Sequence, residues 1–188
     1  MPSQSRCAMP QAPPLPDAKG SSSDREIKNY PFIETEDNLT KNKLWLIDAD
    51  FIKACGNTIR DNEFSFRCEI KGVLVIPPGL RKIGEDAFVR CVGLTEVRLP
   101  DTLAEIGDCA FEGCTGLTKV WLPDTLTEIG HSAFNGCSGL TELRLPDTLT
   151  EIGVYAFAFC SGLTELRLPD TLTKIGACAF YDCSRLTE

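Results

Sequence analysis

A period of 23 residues constrains this chain more than anything else in it. The stretch "LRLPDTLTEIG", Leu143 to Gly153, recurs as "VRLPDTLAEIG" from Val97, "VWLPDTLTEIG" from Val120 and "LRLPDTLTKIG" from Leu166. A worn copy, "LVIPPGLRKIG", starts at Leu74. Pro77, Pro100, Pro123, Pro146 and Pro169 keep the period, and so do Ile83, Ile106, Ile129, Ile152 and Ile175, each followed by Gly. Phe88, Phe111, Phe134, Phe157 and Phe180, each preceded by Ala, keep it too. A unit this short cannot enclose a core of its own. It suits one turn of a repeat solenoid in which stacked neighbours bury each other's apolar side.

Leu94 to Gly116 show how one unit works. Leu94, Val97 and Leu99 have the spacing of a short strand facing a core, and Pro100 stops it because proline lacks the N–H for a further ladder bond. Asp101 and Thr102 turn the chain, and Leu103 and Ile106 point back inward. Gly107 permits a tight or positive-φ bend. "DCAFEGC" then reads as about one helical turn, with Ala110 allowing close packing and Phe111 filling the core. Successive strands stack ~4.8 Å apart as a parallel sheet.

The repeated unit, L-x-x-[VL]-x-L-P-x-x-L-x-x-I-G-x-x-A-F-x-x-C, resembles the BspA-type leucine-rich repeats, the 23-residue class also called the Treponema type. The resemblance covers about residues 72–188. It implies a right-handed leucine-rich repeat coil with a parallel β-sheet on one face and short strands and helical turns on the other. It further implies binding rather than catalysis, since many members are cell-surface proteins that bind host proteins or mediate adhesion.

Three regions follow. Residues 1–28 are rich in Pro, Ser, Gln and Ala and are expected to be a disordered tail; "PPLP" at Pro13–Pro16 has the composition of a polyproline II segment. Residues 29–71 form an N-terminal segment. "NKLWLIDADFIKACG" reads either as a helix with Leu44, Ile47 and Phe51 on one face and Gly56 as its cap, or as a short strand followed by a turn. Asn38-Leu39-Thr40 fits the glycosylation sequon, which matters only in a secreted chain. Residues 57–71 read as a degenerate half-repeat capping the core, since "EFSFRCEIKG" resembles the later "DAFVRCVGLT" and Cys68 is in phase with the later cysteines. This segment could instead be a separate regulatory unit. Residues 72–188 are the solenoid of about five turns. They stop in the opening of a further strand, and an open stacking edge is expected to invite end-to-end self-association.

Charge excludes some partners. Residues 1–71 hold 10 Lys/Arg against 11 Asp/Glu, whereas residues 72–188 hold 9 against 16. An acidic array is a poor match for nucleic acid or an anionic membrane. No apolar run approaches the roughly 18 residues needed to span a bilayer, so no membrane insertion is expected. "MPSQSRCAMPQAPPLPDAKGSSSD" has no apolar signal core, so the expectation is an intracellular, cytoplasmic chain, or a surface or secreted one if the N-terminus is incomplete.

Cys91, Cys114, Cys137, Cys160 and Cys183 recur every 23 residues, which is a repeat position rather than a crosslink pattern. Zinc sites use closer spacings with histidine nearby, and His131 is the one histidine, so the cysteines read as a column of buried reduced thiols. Cys109 and Cys178 share a repeat position three turns apart, beyond disulfide reach. No phosphate-binding glycine loop, HExxH or histidine-supported nucleophile occurs, so neither an enzyme nor a cofactor is expected.

The candidate site is the outward face of the strands. Val73, Glu96, Lys119, Glu142 and Glu165 form one column, and Val75, Arg98, Trp121, Arg144 and Arg167 the next. Alternating Glu and Arg read either as a self-neutralised solvated face or as a binding face. Trp121 breaks the pattern. Flanked by Arg98 and Arg144, it resembles an interface hot spot, or it stacks on those guanidiniums. Glu105, Glu128 and Glu151 form a third column flanked by Lys82 and Lys174, read as a solubilising face. The expected protein-binding residues are Glu96, Arg98, Lys119, Trp121, Glu142, Arg144, Glu165 and Arg167. The function expected is a non-catalytic scaffold binding a protein or peptide through this face. The alternative is a structural or adhesive array with no single patch.

Overall fold

Each 23-residue unit from Gly72 to Ile152 contributes two strands to two different sheets, and the last contributes one. The computed structural model describes residues 32–36, 43–47, 49–66 and 70–187. The tail of residues 1–28, the Asn38–Thr40 sequon and Cys68 therefore lie outside the described residues. The first sheet contains β1 (Phe32–Glu36), β2 (Lys43–Ile47), β4 (Gly72–Val75), β6 (Leu94–Arg98), β8 (Lys119–Trp121) and β10 (Glu142–Leu143), hydrogen-bonded in that order. The second contains β3 (Thr58–Ile59), β5 (Lys82–Ile83), β7 (Glu105–Ile106), β9 (Glu128–Ile129), β11 (Glu151–Ile152) and β12 (Lys174–Ile175). All pairings are parallel except β1 with β2.

The repeat explains the register. Glu96 pairs with Lys119 and Lys119 with Glu142, each one period on. Ile83, Ile106, Ile129 and Ile152 stack in the same way in the second sheet and are fully buried. Phe64, Phe88, Phe111, Phe134, Phe157 and Phe180 form a ring column, with successive centroids 5.1 to 5.5 Å apart. From Phe88 onward the rings are within 6° of parallel, because each turn repeats its predecessor's backbone at the spacing of a β-ladder.

The phrase "PDTL" is a hydrogen-bonded turn. Leu103 N–H donates to Pro100 O at 3.0 Å, and Leu126 N–H to Pro123 O at 3.1 Å. The threonine then ties each turn to the one before: Thr125 Oγ1 donates to Leu103 O at 2.7 Å and Thr148 Oγ1 to Leu126 O at 2.8 Å.

The third side differs from the helical turn expected of "DCAFEGC". Cys109 and Gly113 both have positive φ, 53° and 69°, as do Asp86 and Arg90, Ser132 and Gly136, Tyr155 and Phe159 in the equivalent places. A left-handed residue at every fourth position cannot continue a right-handed helix. Instead alternate N–H groups point along the stacking axis. Cys109, Phe111 and Gly113 donate to the carbonyls of His131, Ala133 and Asn135 in the next turn at 2.7, 2.7 and 2.8 Å. The intervening Glu112 N–H closes locally on Cys109 O at 3.0 Å.

Gly107 has a different role from the positive-φ bend expected of it: it is absent from the left-handed glycines. A Cβ there would lie 2.9 Å from the backbone carbon of Gly84 in the preceding turn. The I-G glycine is required by close approach of adjacent coils.

At the N-terminal end both readings of "NKLWLIDADFIKACG" hold in part. Lys43–Ile47 is a strand, and helix α1 follows at Ala49–Ala54. Gly56, with φ 66°, caps it as expected, donating to Lys53 O at 3.1 Å while Asn57 N–H donates to Ile52 O at 3.0 Å. No helix among the described residues is long and apolar enough to cross a membrane.

Candidate functional site

The outward face of the first sheet is built by strand alternation. In β6 the apolar Leu94 and Val97 are buried, and Arg98 is exposed. In β8 Val120 is buried between half-buried Lys119 and exposed Trp121. Glu96, Lys119 and Glu142 thus fall in one column of adjacent strands, with Arg98 and Trp121 in the next. Val73 departs from its expected outward column: it is 3% exposed, on a strand that pairs with β2 on one side and β6 on the other.

Trp121 is 53% exposed yet tethered. Its Nε1–H donates to Glu96 Oε1 at 3.0 Å. Arg98 Nε donates to the same oxygen at 2.7 Å. The cation over the ring belongs to Lys119, whose Nζ lies 4.4 Å from the ring centroid. Lys119 Nζ also reaches Glu142 Oε2 at 2.7 Å. The alternative reading, stacking on Arg98 or Arg144, gives way to a lysine two residues earlier on the same strand. Arg98 is instead committed to Glu96.

Arg144, Glu165 and Arg167 lie beyond the regular part of this sheet. β10 ends at Leu143, and the expected strand through Glu165 and Arg167 is not a regular strand. All three side chains are exposed and make no ion pair among the described residues. Two shallow depressions occupy this part of the face. One of ≈ 390 Å³ has Trp121, Lys119, Glu142 and Arg144 on its walls and Val120 and Leu143 in its floor. The other, of ≈ 400 Å³, lies between Leu143–Leu145 and Leu166–Arg167. Arg144 and Glu165 border both.

On the second sheet, Glu105, Glu128 and Glu151 stack in register. Lys82 pairs with Glu105 at 2.5 Å, and Lys174 pairs with Glu151, so lysines at the ends neutralise two of the three carboxylates. The Glu105 carboxylate is the main cause of the raised Lys82 pKa, and the Glu151 carboxylate plays that part for Lys174.

The cysteine column is structural. Cys114, Cys137 and Cys160 are buried and free. Each thiol donates to a phenylalanine carbonyl of the preceding turn: Cys114 to Phe88 at 3.2 Å, Cys137 to Phe111 at 3.2 Å, Cys160 to Phe134 at 3.3 Å. Burial pushes the Cys160 thiol up to about 12 and Cys137 well above its ordinary range. His131 is equally structural. Its Nδ1 accepts Val154 N–H at 3.0 Å, just as Asp108 Oδ1 accepts His131 N–H at 2.7 Å one turn earlier. Among the described residues no group of three or more His, Cys, Asp or Glu is placed to hold a metal ion.

Sequence reasoning missed one surface feature. Tyr155, Phe159 and Tyr181 are 42%, 45% and 56% exposed on the left-handed turns, with the Phe159 and Tyr181 rings edge to face at 5.5 Å. The signal was aromatic residues at positions where the turn after Gly130 carries Ser132, Asn135 and Gly136.

Comparison with known proteins gives a consistent picture. The family model for the BspA type Leucine rich repeat region matches residues 57–187 in six copies, so it takes in the segment read from sequence as a degenerate half-repeat. The crystal structure of the T. pallidum leucine-rich repeat protein is similar with a TM-score of 0.60 at 31% identity, over 84% of this chain and 67% of that one. A leucine-rich repeat protein from Bacteroides ovatus is similar with a TM-score of 0.53 at 28% identity, over 68% of this chain and 38% of that one. Comparison with the curated proteins gave no match.

Proposed function

Since the chain belongs to the BspA-type leucine-rich repeat family, whose arrays point to interaction or adhesion scaffolds, we propose that it is a non-catalytic scaffold that binds a protein or peptide through the first sheet. The observation carrying this reading is Trp121. A half-exposed indole tethered among paired charges, beside a depression with an apolar floor, has the make-up of an interface anchor. Around it, Glu96, Arg98, Lys119 and Glu142 form the charged surround, and Arg144, Glu165 and Arg167 extend the face. Tryptophan and arginine are enriched at hot spots, whereas exposed ion pairs contribute well under about 1 kcal/mol each, so the charges serve complementarity more than stability.

The test is capture from the native source, with wild type, Trp121→Ala and Glu128→Ala as bait. Loss of a partner from the Trp121 variant alone supports the sheet face. Retention by all three baits points instead to a structural or adhesive array with no discrete patch.

A further inference from the structure

An exposed indole is ordinarily free to turn about two side-chain torsions. Trp121 is not. Its N–H is bonded to Glu96 Oε1, one period back on β6, and Arg98 Nε grips the same oxygen. Against the ring stands the Lys119 ammonium, itself anchored to Glu142 on β10. The sequence Arg98, Glu96, Trp121, Lys119, Glu142 is one connected set of contacts spanning three neighbouring strands. The repeat accounts for it. A one-turn offset brings Glu96 beside Lys119 and Arg98 beside Trp121, and the indole reaches diagonally to the carboxylate. In the other turns the Trp121 position holds Val75, Arg98, Arg144 or Arg167, so the arrangement occurs once.

We propose that Glu96 is a positioning residue for Trp121: with Lys119, it holds the indole in one orientation in the unbound protein. This rests on the reading of the sheet face as a binding surface and deepens it. The indole N–H is already engaged, so the partner meets Trp121 by its ring and needs no acceptor for the N–H. A side chain ordered before binding spares the complex the entropy of fixing it. Removing the tether is expected to weaken binding by about three- to tenfold.

The orientation can be read without a partner. The chain holds two tryptophans, Trp45 and Trp121, and both can be labelled with 5-fluorotryptophan, the Trp121 signal being assigned with Trp121→Phe. The expected result is one sharp Trp121 fluorine resonance in the full chain. In Glu96→Ala that resonance broadens or moves and acrylamide quenches Trp121 fluorescence more strongly, whereas Glu96→Gln, which keeps an acceptor oxygen, stays near wild type. Lys119→Ala is expected to give an intermediate effect, and Trp45 reports that the fold is intact. A Trp121 resonance and quenching unchanged in Glu96→Ala would overturn the proposal. The two readings fail separately. A tethered Trp121 whose removal leaves partner capture unchanged sinks the binding face alone, and a mobile Trp121 that is still required for capture sinks the tether alone.

Discussion

Phe134 is fully buried, with its ring 5.3 Å from Phe111 and 5.2 Å from Phe157. Phe134→Ala opens a cavity that both neighbours line, and is expected to cost about 3–5 kcal/mol. Glu128→Ala, on the exposed column, is expected to change stability by less than about 0.5 kcal/mol. Urea midpoints of the two variants check this, and equal midpoints would contradict a stacked core. The thiols give a pH test. The unfolded chain ionises Cys137 near 9.0, whereas burial keeps the folded thiol protonated well above that. The folded pKa is raised, so this contribution is whole below pH 9.0 and is lost as pH rises beyond it. The slope is about 1.4 kcal/mol per pH unit for each fully buried thiol. Cys137→Ala is expected to flatten the alkaline fall in unfolding free energy, measured by urea titration from about pH 8 to pH 10. At this scale the core was legible, because a position repeated every turn must face the same surroundings. The reason for the Gly107 position was not. Sequence reports that a side chain is excluded there, but not that the preceding turn's backbone excludes it.

Within one element, the two kinds of repeated glycine should behave differently. A Cβ on Gly130 would lie 2.7 Å from the backbone carbon of Gly107, and adjacent coils must separate to admit it. Gly136 has φ 73° but no atom closer than 3.7 Å to a Cβ, and the same left-handed place holds Arg90 and Phe159 in other turns. Gly136→Ala is expected to cost about 1–2 kcal/mol of backbone strain, and Gly130→Ala distinctly more. Thermal melts of the two variants check the order, and the reverse order would contradict the close-approach account. The "DCAFEGC" segment shows why local pattern misleads here. Ala110, Phe111 and Cys114 have spacings a helix would also give, yet the N–H groups of Cys109, Phe111 and Gly113 find their acceptors in the next turn. No window of one repeat contains that information. β1 was equally hidden, since it lies outside the strict period, whereas β2 was offered by one of the two readings of its segment.

Across the whole molecule, stacking turns a sequence period into columns, and the columns give each face its chemistry. The first sheet carries mixed charge around Trp121, the second an acidic column pinned by lysines, and the left-handed turns the exposed Tyr155, Phe159 and Tyr181. The outward register of the candidate site followed from strand alternation. Its internal pairing did not, because which cation covers an indole depends on side-chain reach between neighbouring turns. Binding through Trp121 is the proposed role of the sheet face. Its most direct test is the dissociation constant of the purified captured partner for the wild-type chain, Trp121→Ala and Tyr181→Ala, measured by titration calorimetry. A hot spot at Trp121 predicts at least about 30-fold weaker binding for Trp121→Ala, with no change for Tyr181→Ala and unaltered melting in both. Equal affinity of wild type and Trp121→Ala would contradict it.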